Sequence, residues 1–412
     1  MKFILLNSVV ENRSTGQIMG ELYAFLKEKG HQVKFCYGRG NQDTDNSDFI
    51  KIDSKIEVYL HVFLARITGL QGYYSNKATK KVIQLIEEYD PDVIILGNIH
   101  GYYLNTFELL NAIKKRKIIT YYYMFDEFAF LGKCAFFGKC KKYLIECKQC
   151  PQKNIYPKSL FFDTSNKIFR DKLKNYMDFE TLYFNGVRYT VEKSKESALF
   201  KKSKAKVYSF GWGIDTNSNF IPCNTDTLRK KLEIPNENKV VLAVAPYSNK
   251  RKGIKDYYYR IAKEMKDSLI SFIHVGFDGE MDEVPENVIA IPFVKNQKEL
   301  AKYFSMADLF VIPSISEGYP TVCLDSLSCG TPICGFDISG TPYVAPEPYG
   351  KFVEPFDIEA LKVVIENTPR KDKGIIDKCR LYAVNNLDSK VINGKLLEQI
   401  MVDLKKKESR YE

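Results

Sequence analysis

Four places in the sequence put chemistry-bearing residues where an apolar run gives way to an amphipathic one. The first is Lys250-Arg251-Lys252-Gly253. Three cations and a glycine at a helix start suit a phosphate, because backbone N–H groups and the helix dipole there both favour an anion. One lysine–phosphate contact near a surface is worth roughly 4 kcal/mol of Coulomb attraction before desolvation. The plainer reading is a run of surface cations. The second place is Ser314-Ile315-Ser316-Glu317-Gly318-Tyr319-Pro320-Thr321, which continues through Asp325 to Cys329-Gly330-Thr331-Pro332. Glycine lets backbone approach a ligand closely, and a helix start again offers N–H donors. Glu317 lies before the helix and Asp325 about one turn inside it. Two carboxylates so placed can accept hydrogen bonds from hydroxyls at separate ends of one ligand. The plainer reading makes Glu317 a helix cap and Asp325 a surface acid.

The third place is Ser14-Thr15-Gly16-Gln17, after the first apolar run; alone it reads equally as a helix cap. The fourth is Gly97-Asn98-Ile99-His100-Gly101-Tyr102-Tyr103-Leu104-Asn105, with His100 just past a strand. Of the 4 histidines, His31 begins a strand and His274 lies within one, so both read as structural, and His61 has no motif. Four of the 10 cysteines cluster as Cys134, Cys140, Cys147 and Cys150. Four thiolates suit tetrahedral zinc, and the close pair Cys147/Cys150 is a usual half-site. The first two spacings are not standard, so a structural zinc and buried free thiols both stand, with a redox switch behind them. The other six cysteines read as small buried apolar residues.

The elements that must position these residues alternate strand and helix, which predicts an α/β fold with parallel sheets. In the first half the strands are Lys2–Leu6, Val33–Tyr37, Val93–Leu96 and Ile118–Tyr123, with helical patterns at Ile18–Lys29, Lys80–Tyr89 and Phe107–Ile113. A second series has strands Val240–Ala245, Ile270–Val275, Leu309–Ile312 and Thr331–Gly335. Its helices are Gly253–Lys266, Gln297–Phe304, Pro320–Cys329 and Asp357–Glu366, closed by Ile375–Lys405. This predicts two facing doubly wound domains, 1–205 and 206–375, with 376–412 packing back on the first. Residues 126–165 form a Cys-, Lys- and aromatic-rich insert without a clear period, and such inserts are more often functional or metal-clamped than filler. In open parallel sheets ligands sit beyond the carboxyl ends of the strands, which is where all four places fall.

The 412 residues suit two or three domains, and 45% hydrophobic with 27% charged residues excludes disordered and fibrous classes. No stretch nears the roughly 20 apolar residues of a membrane span. Met1–Val10 is broken by Asn7, is followed by Glu11, Asn12 and Arg13, and lacks a small-residue cleavage site. It reads as a first strand, not a secretory signal, and with the cysteines it predicts a cytoplasmic protein. The formal charge is +10 and uneven. Residues 165–206 hold eleven Lys/Arg against five acids, and residues 131–158 seven Lys against Glu146. Such a balance fits an acidic small molecule, a nucleic acid or an anionic membrane surface.

The run S-E-G-Y-P-T-V-C-L-D-S-L-S-C-G-T-P-I resembles the Glu-x7-Glu signature of family 4 glycosyltransferases, and K-R-K-G resembles the same family's basic loop. Gly30-His31-Gln32-Val33 and Gly213-Ile214-Asp215 followed by Pro222 are similar to its second-strand start and interdomain segment. Pro157-Lys158-Ser159-Leu160 after Cys150-Pro151-Gln152 resembles a bacterial branch that builds surface polysaccharides. The resemblance implies the GT-B fold, two facing Rossmann-like doubly wound domains with a cleft between them. It implies retaining transfer of a sugar from a nucleotide-diphosphate sugar, in capsular, exopolysaccharide or O-antigen biosynthesis.

Carried onto matching residues, Lys252 would bind the donor diphosphate, Glu317 the sugar hydroxyls and Asp325 the ribose. The backbone of Gly318, Tyr319, Pro320, Thr321 and Val322 would hold sugar and phosphate. Thr15 and Gly16 stand at the family's glycine loop, and His100 resembles its sugar-contacting histidine. Asp126 resembles the acid of a His-Asp pair, here preceded by Phe125 where the branch has histidine. Tyr102 and Asn105 would lie on the acceptor side with Asp126. Two departures stand out: Asp325 replaces the usual Glu, and Pro246 stands where the family often has Arg, a role Lys250 or Arg251 would take. No cofactor is implied for catalysis, since GT-B enzymes generally use cationic side chains and helix dipoles instead of Mg²⁺.

The basic 126–206 region suits a lipid-linked saccharide acceptor and peripheral attachment to the inner membrane surface, with no nucleic acid. Two rival readings stand beside this one. A sugar-nucleotide epimerase of the same architecture would release a changed free sugar. A zinc module binding nucleic acid would leave the loops at 252 and 317 without a purpose.

Overall fold

The computed structural model describes residues 1–10, 14–40 and 46–411. The chain divides into two units, one of residues 1–212 with 393–412, the other of residues 213–392. In the first, β1 (Lys2–Val9), β2 (Gln32–Arg39), β3 (Phe49–Lys51), β4 (Val93–Leu96), β5 (Ile119–Tyr123), β6 (Leu182–Asn185) and β7 (Lys206–Tyr208) form one sheet. Its order is β3-β2-β1-β4-β5-β6-β7. All pairings are parallel, with Phe3 of β1 opposite both Val33 and Val93. Helices cover both faces of such a sheet, so its central strands are continuous apolar runs. In β1 Phe3 to Leu6 are fully buried, as is all of β4.

The second unit repeats the plan with β8 (Lys239–Val244), β9 (Ile270–Phe277), β10 (Val288–Pro292), β11 (Leu309–Ile312), β12 (Ile333–Phe336) and β13 (Gly350–Val353). The order is β10-β9-β8-β11-β12-β13, again parallel. One core packs Leu242, Phe310 and Leu324 on one face; Val241, Tyr258 and Leu361 fill the other.

The predicted α/β architecture with two parallel sheets is therefore present, and several boundaries move. The first unit extends past 205 because β7 hydrogen-bonds to β6. The closing helices do not all return to it. Helix Lys373–Asn386 buries Cys379 and Ala383 in the core of the second unit. Only residues from 393 onward, in helix Ser389–Tyr411, belong with the first. That return is pinned by Asp403, 1% exposed, which accepts from the Tyr121 hydroxyl at 2.6 Å and the Tyr208 hydroxyl at 3.0 Å.

The helix predicted over 253–266 is interrupted. Lys250–Lys252 is a 3₁₀ turn, Ile254–Tyr258 a π-helical turn and Tyr259–Glu264 α-helical. Pro320 caps the helix Thr321–Ser328 from outside instead of opening it. The insert holds one short 3₁₀ turn, Lys142–Leu144. It is ordered by side chains: the fully buried Lys172 ammonium donates to the carbonyls of Phe128, Leu131 and Gly132, and the Ser197 hydroxyl to that of Phe130 at 2.7 Å. Among the described residues no helix is long and apolar enough to cross a membrane.

Candidate active site

In the second unit the strand order reverses between β8 and β11, whose chain neighbours lie to opposite sides. The crevice beyond the carboxyl ends of two such strands is where ligands bind in open parallel sheets. The loop after β8 carries Lys250-Arg251-Lys252-Gly253, and the loop after β11 carries Ser314 to Pro320, so the topology itself brings these segments together. Backbone locks them: Ile315 N donates to Arg251 O at 2.9 Å. Asn249 caps the 3₁₀ turn by accepting from Arg251 N. Gly253 sits at φ +68°, and a Cβ there would run into the carbonyl oxygen of Pro313. Glycine is required on both counts.

Glu317 is the centre of this arrangement. It is 7% exposed and receives two cations. Lys252 Nζ donates to Oε1 at 2.7 Å and Arg251 Nη1 to Oε2 at 3.1 Å. Arg251 Nη1 also donates to the carbonyl of Ser316. Burial would raise the Glu317 carboxyl, but the charges of Lys252 and Arg251 and hydrogen bonds from Lys252 and Ser314 outweigh it and hold the group below its ordinary value. The clamp is thus an ionised carboxylate that organises two cations. The next segment is held from the far side: Gly340 N donates to Glu317 O at 2.7 Å, and a Cβ on Gly340 would collide with the carbonyl of Gly318. Thr321 and Val322 open helix Thr321–Ser328, where the first amides have no intrahelical acceptor. Asp325 is buried on that helix instead of standing at the surface.

The first unit has its own reversal, between β1 and β4. Asn7, fully buried, ties the two loops there. Its Nδ2 donates to Val9 O at 2.8 Å and lies 3.4 Å from Thr15 Oγ1, while its Oδ1 accepts from Asn98 N at 2.9 Å. Thr15 and buried Gly16 are thereby brought beside the segment that carries His100. His100 is 2% exposed. Its ring stacks on Phe128 at 4.1 Å, and Nε2 lies 3.0 Å from Asp126 Oδ2. That approach is off the N–H direction, and neither ring nitrogen makes an aligned hydrogen bond among the described residues. The carbonyl of His100 accepts from Gln71 Nε2, which fixes the loop. Asp126 Oδ1 accepts from Phe128 N at 3.0 Å, so one carboxylate sets both His100 and the ring it stacks on.

Two residues expected on the acceptor side also hold local structure. Asn105 caps helix Thr106–Lys115 by accepting from Glu108 N, and its amide donates to Tyr73 O and Asn76 Oδ1. Tyr102, at φ +64°, is 9% exposed and packs edge-on against His61.

The cysteine cluster of the insert comes together in space. The four clustered cysteines line one cavity with Phe137 and Tyr143. Among the described residues, however, no three His, Cys, Asp or Glu groups converge to hold a metal ion. Cys134 and Cys150 face each other at 3.8 Å between sulfurs, and Cys147 Sγ accepts from Gly132 N at 3.2 Å. All ten cysteines are free of disulfides, and for the cluster the structural-zinc and free-thiol readings both stand. Cys223 is exposed, unlike the buried role expected of it. Asn7 and Gly340 were missed by sequence reasoning. A polar residue inside the apolar run Phe3–Val10 was the available signal for Asn7; Gly340 carried none.

Comparison with known proteins agrees with this geometry. Residues 224–370, which contain both clamp loops, match the family model described as glycosyl transferases group 1. The alpha-galactosylglucosyldiacylglycerol synthase of Streptococcus pneumoniae is 32% identical over 110 residues, 24% of this chain and 28% of that protein. The putative colanic acid biosynthesis glycosyl transferase WcaC of Escherichia coli is 20% identical over 288 residues, 68% of this chain and 67% of that protein. This chain therefore spans little more than a quarter of the first relative and about two thirds of the second. The crystal structure of Anabaena HepE in complex with UDP superposes with a TM-score of 0.64 at 14% identity, covering 98% of this chain and all of that one, which shows a shared fold. Residues 224–370 thus carry the match to the group 1 glycosyl transferases, and the chain as a whole shares the GT-B fold of its solved neighbours.

Proposed function

We propose that this protein moves a sugar from a nucleotide-diphosphate sugar to an acceptor hydroxyl, with retention of anomeric configuration. The observation that carries the reading is the Lys252–Glu317–Arg251 clamp at the β8/β11 reversal. A departing diphosphate gains negative charge as the bond from its oxygen to the anomeric carbon breaks. Lys252, Arg251 and the first amides of helix Thr321–Ser328 supply fixed positive charge for it. Glu317 holds the two cations in register and offers carboxylate oxygens to sugar hydroxyls, while Asp325 serves the ribose. In the first unit, His100 beside Asp126, with Thr15 and Gly16 near it, forms a candidate sugar-contacting group of its own. The bond to the acceptor oxygen forms as the diphosphate leaves with the bonding pair. We assign no protein base; the acceptor's proton leaves on the diphosphate.

The anomeric carbon carries oxocarbenium character at the transition state, so excluding water protects the donor from hydrolysis. A lipid-linked saccharide is the acceptor class that fits best. A pneumococcal relative is named for a diacylglycerol-linked sugar and the Escherichia coli relative for colanic acid biosynthesis. Surface-polysaccharide assembly at the cytoplasmic face of a membrane is the matching setting, with the basic 126–206 segment near the lipid.

Thermal-shift screening against UDP-, GDP- and dTDP-sugars tests the donor site, with UDP-sugars first because a protein of the same fold was crystallised with UDP. Stabilisation by one nucleotide class, abolished in Lys252→Ala and Glu317→Ala, is expected. Equal shifts in both variants would remove the clamp from the donor site. Release of an altered free sugar without any acceptor would replace transfer by epimerisation.

A further inference from the structure

Helix Lys55–Thr68 is apolar on two sides. Val58, His61 and Ala65 are buried against the first unit. On the other side Ile56, Tyr59, Leu60 and Phe63 are between 53% and 80% exposed. Their spacing of three, four and seven residues puts them on one face, the pattern that normally marks a packed surface. Single exposed apolar residues need no explanation, but a contiguous patch does.

The insert adds to it. Ile155, Leu160, Phe161 and Phe162 are between 45% and 65% exposed. The two groups meet at the end of the helix. Leu160 N donates to Arg66 O at 2.7 Å, and Thr164 Oγ1 to Gly69 O at 2.5 Å. Gly69 ends the helix at φ +75°, and a Cβ there would lie 2.8 Å from Ser159 Oγ and from Thr164 Oγ1. Helix stripe and loop are therefore tied together by backbone.

The rim of this face is cationic. Lys55, Arg66 and Lys158 are exposed around it. Its two acids are already engaged, Glu57 in a capping box with Ser54 and Asp163 as acceptor for the amides of Cys150 and Ser165. A second copy of the chain would bring like-charged rims together. An anionic lipid surface meets both features at once, aromatic and aliphatic side chains entering the headgroup–acyl boundary while the cations meet phosphates.

We infer that the exposed face of helix Lys55–Thr68 and the loop 155–162 dock the first unit onto an anionic bilayer as an interfacial contact. This deepens the lipid-linked acceptor reading by naming where the membrane lies. It rests on features of the first unit alone and needs nothing of the donor chemistry.

The test is co-sedimentation of the full chain with vesicles of phosphatidylcholine alone and of phosphatidylcholine with phosphatidylglycerol. Two double variants, Tyr59→Ser with Phe63→Ser and Phe161→Ser with Phe162→Ser, are compared with the parent. All four side chains are solvent-exposed, so the thermal midpoint and the donor-induced shift should stay at parental values. Binding is expected on the phosphatidylglycerol vesicles, weakened by salt, and reduced roughly tenfold or more in each double variant. Absence of binding, equal binding to both vesicle types, or binding unaffected by both double variants would overturn the inference. So would self-association that these substitutions abolish, which would assign the face to a second copy. Failure of lipid binding with an intact donor shift leaves the transfer reading standing; loss of the donor shift in the parent removes that reading and leaves the vesicle result intact.

Discussion

Replacing Lys252 by alanine tests the clamp as an electrostatic unit. At 2.7 Å and an effective dielectric constant near 20, the Lys252–Glu317 attraction is about 6 kcal/mol before desolvation. Removing one partner of a buried pair typically costs about 3–5 kcal/mol, because the other charge stays buried. Arg251 still holds the second oxygen, but its side chain is 41% exposed and screened by solvent. A net loss of about 2–3 kcal/mol is therefore expected for Lys252→Ala in urea unfolding. A double-mutant cycle with Glu317→Gln should return a coupling energy of about 2 kcal/mol.

The pH dependence is a second reading of the same pair. The folded-state pKa of Glu317 is held below its ordinary 4.5. Its contribution to stability is therefore complete above the ordinary carboxylate range and is lost as pH falls through the lowered value. Without Lys252 the balance tips towards burial, so the acid-unfolding midpoint of Lys252→Ala should move to higher pH. Turnover should fall further than stability explains, by about 10²–10³ in kcat/KM, because the charge on the departing diphosphate loses its partner. A coupling energy below about 0.5 kcal/mol, the range of independent sites, would refute the reasoning. So would an acid midpoint that does not move.

Gly253→Ala should cost about 2 kcal/mol or more in the same unfolding assay and weaken the donor-induced thermal shift, since a Cβ meets both a positive φ and the Pro313 carbonyl; a silent substitution would mean the two loops are not locked. Asp126→Asn should lower turnover about tenfold to a hundredfold while leaving the thermal midpoint close to the parent, because the side chain is 15% exposed and acts by setting His100. Full activity in that variant would end the positioning role. Cys150 should be the reactive thiol of the insert. The hydrogen bond from Cys134 outweighs burial and brings it down to about 6, so its alkylation rate should rise with a midpoint near that pH, and Cys134→Ala should move the midpoint upward. Alkylation spread evenly over the four insert cysteines would contradict the pairing.

The parts of the fold that the sequence made legible are those where one force dominates. Central strands such as β1, β4, β8 and β11 are buried on both faces, and their apolar runs leave no second interpretation. Strands β3, β7 and β13 have three or four residues and sit at or near sheet edges. Burial pressure there is one-sided, so Phe49–Lys51 and Lys206–Tyr208 carry no periodic signal. That blindness displaced the domain boundary from Trp212 to 205. Helix Lys55–Thr68 escaped detection for the opposite reason. Its outward face is as apolar as its inward one, so the 3.6-residue alternation on which helix reading depends is cancelled.

The insert shows where local reading stops altogether. For the four cysteines in 134–150, spacing along the chain is all a sequence displays. What orders the segment lies far away in sequence: the Lys172 ammonium takes the carbonyls of Phe128, Leu131 and Gly132, and also sits 3.3 Å above the Phe128 ring. That ring is the one on which His100 stacks. A lysine read as part of a basic surface stretch is thus fully buried and supports the histidine through one intervening aromatic. The Lys252–Glu317 clamp was legible because glycine, cation and acid each announce their role in a loop after a strand. The His100 side was only half legible, because its support is assembled from Asn7, Gln71, Phe128 and Lys172, residues that share no segment and meet only once the sheet has formed. A site built by topology can be located from strand order, but its supporting residues become visible only when the chain is folded.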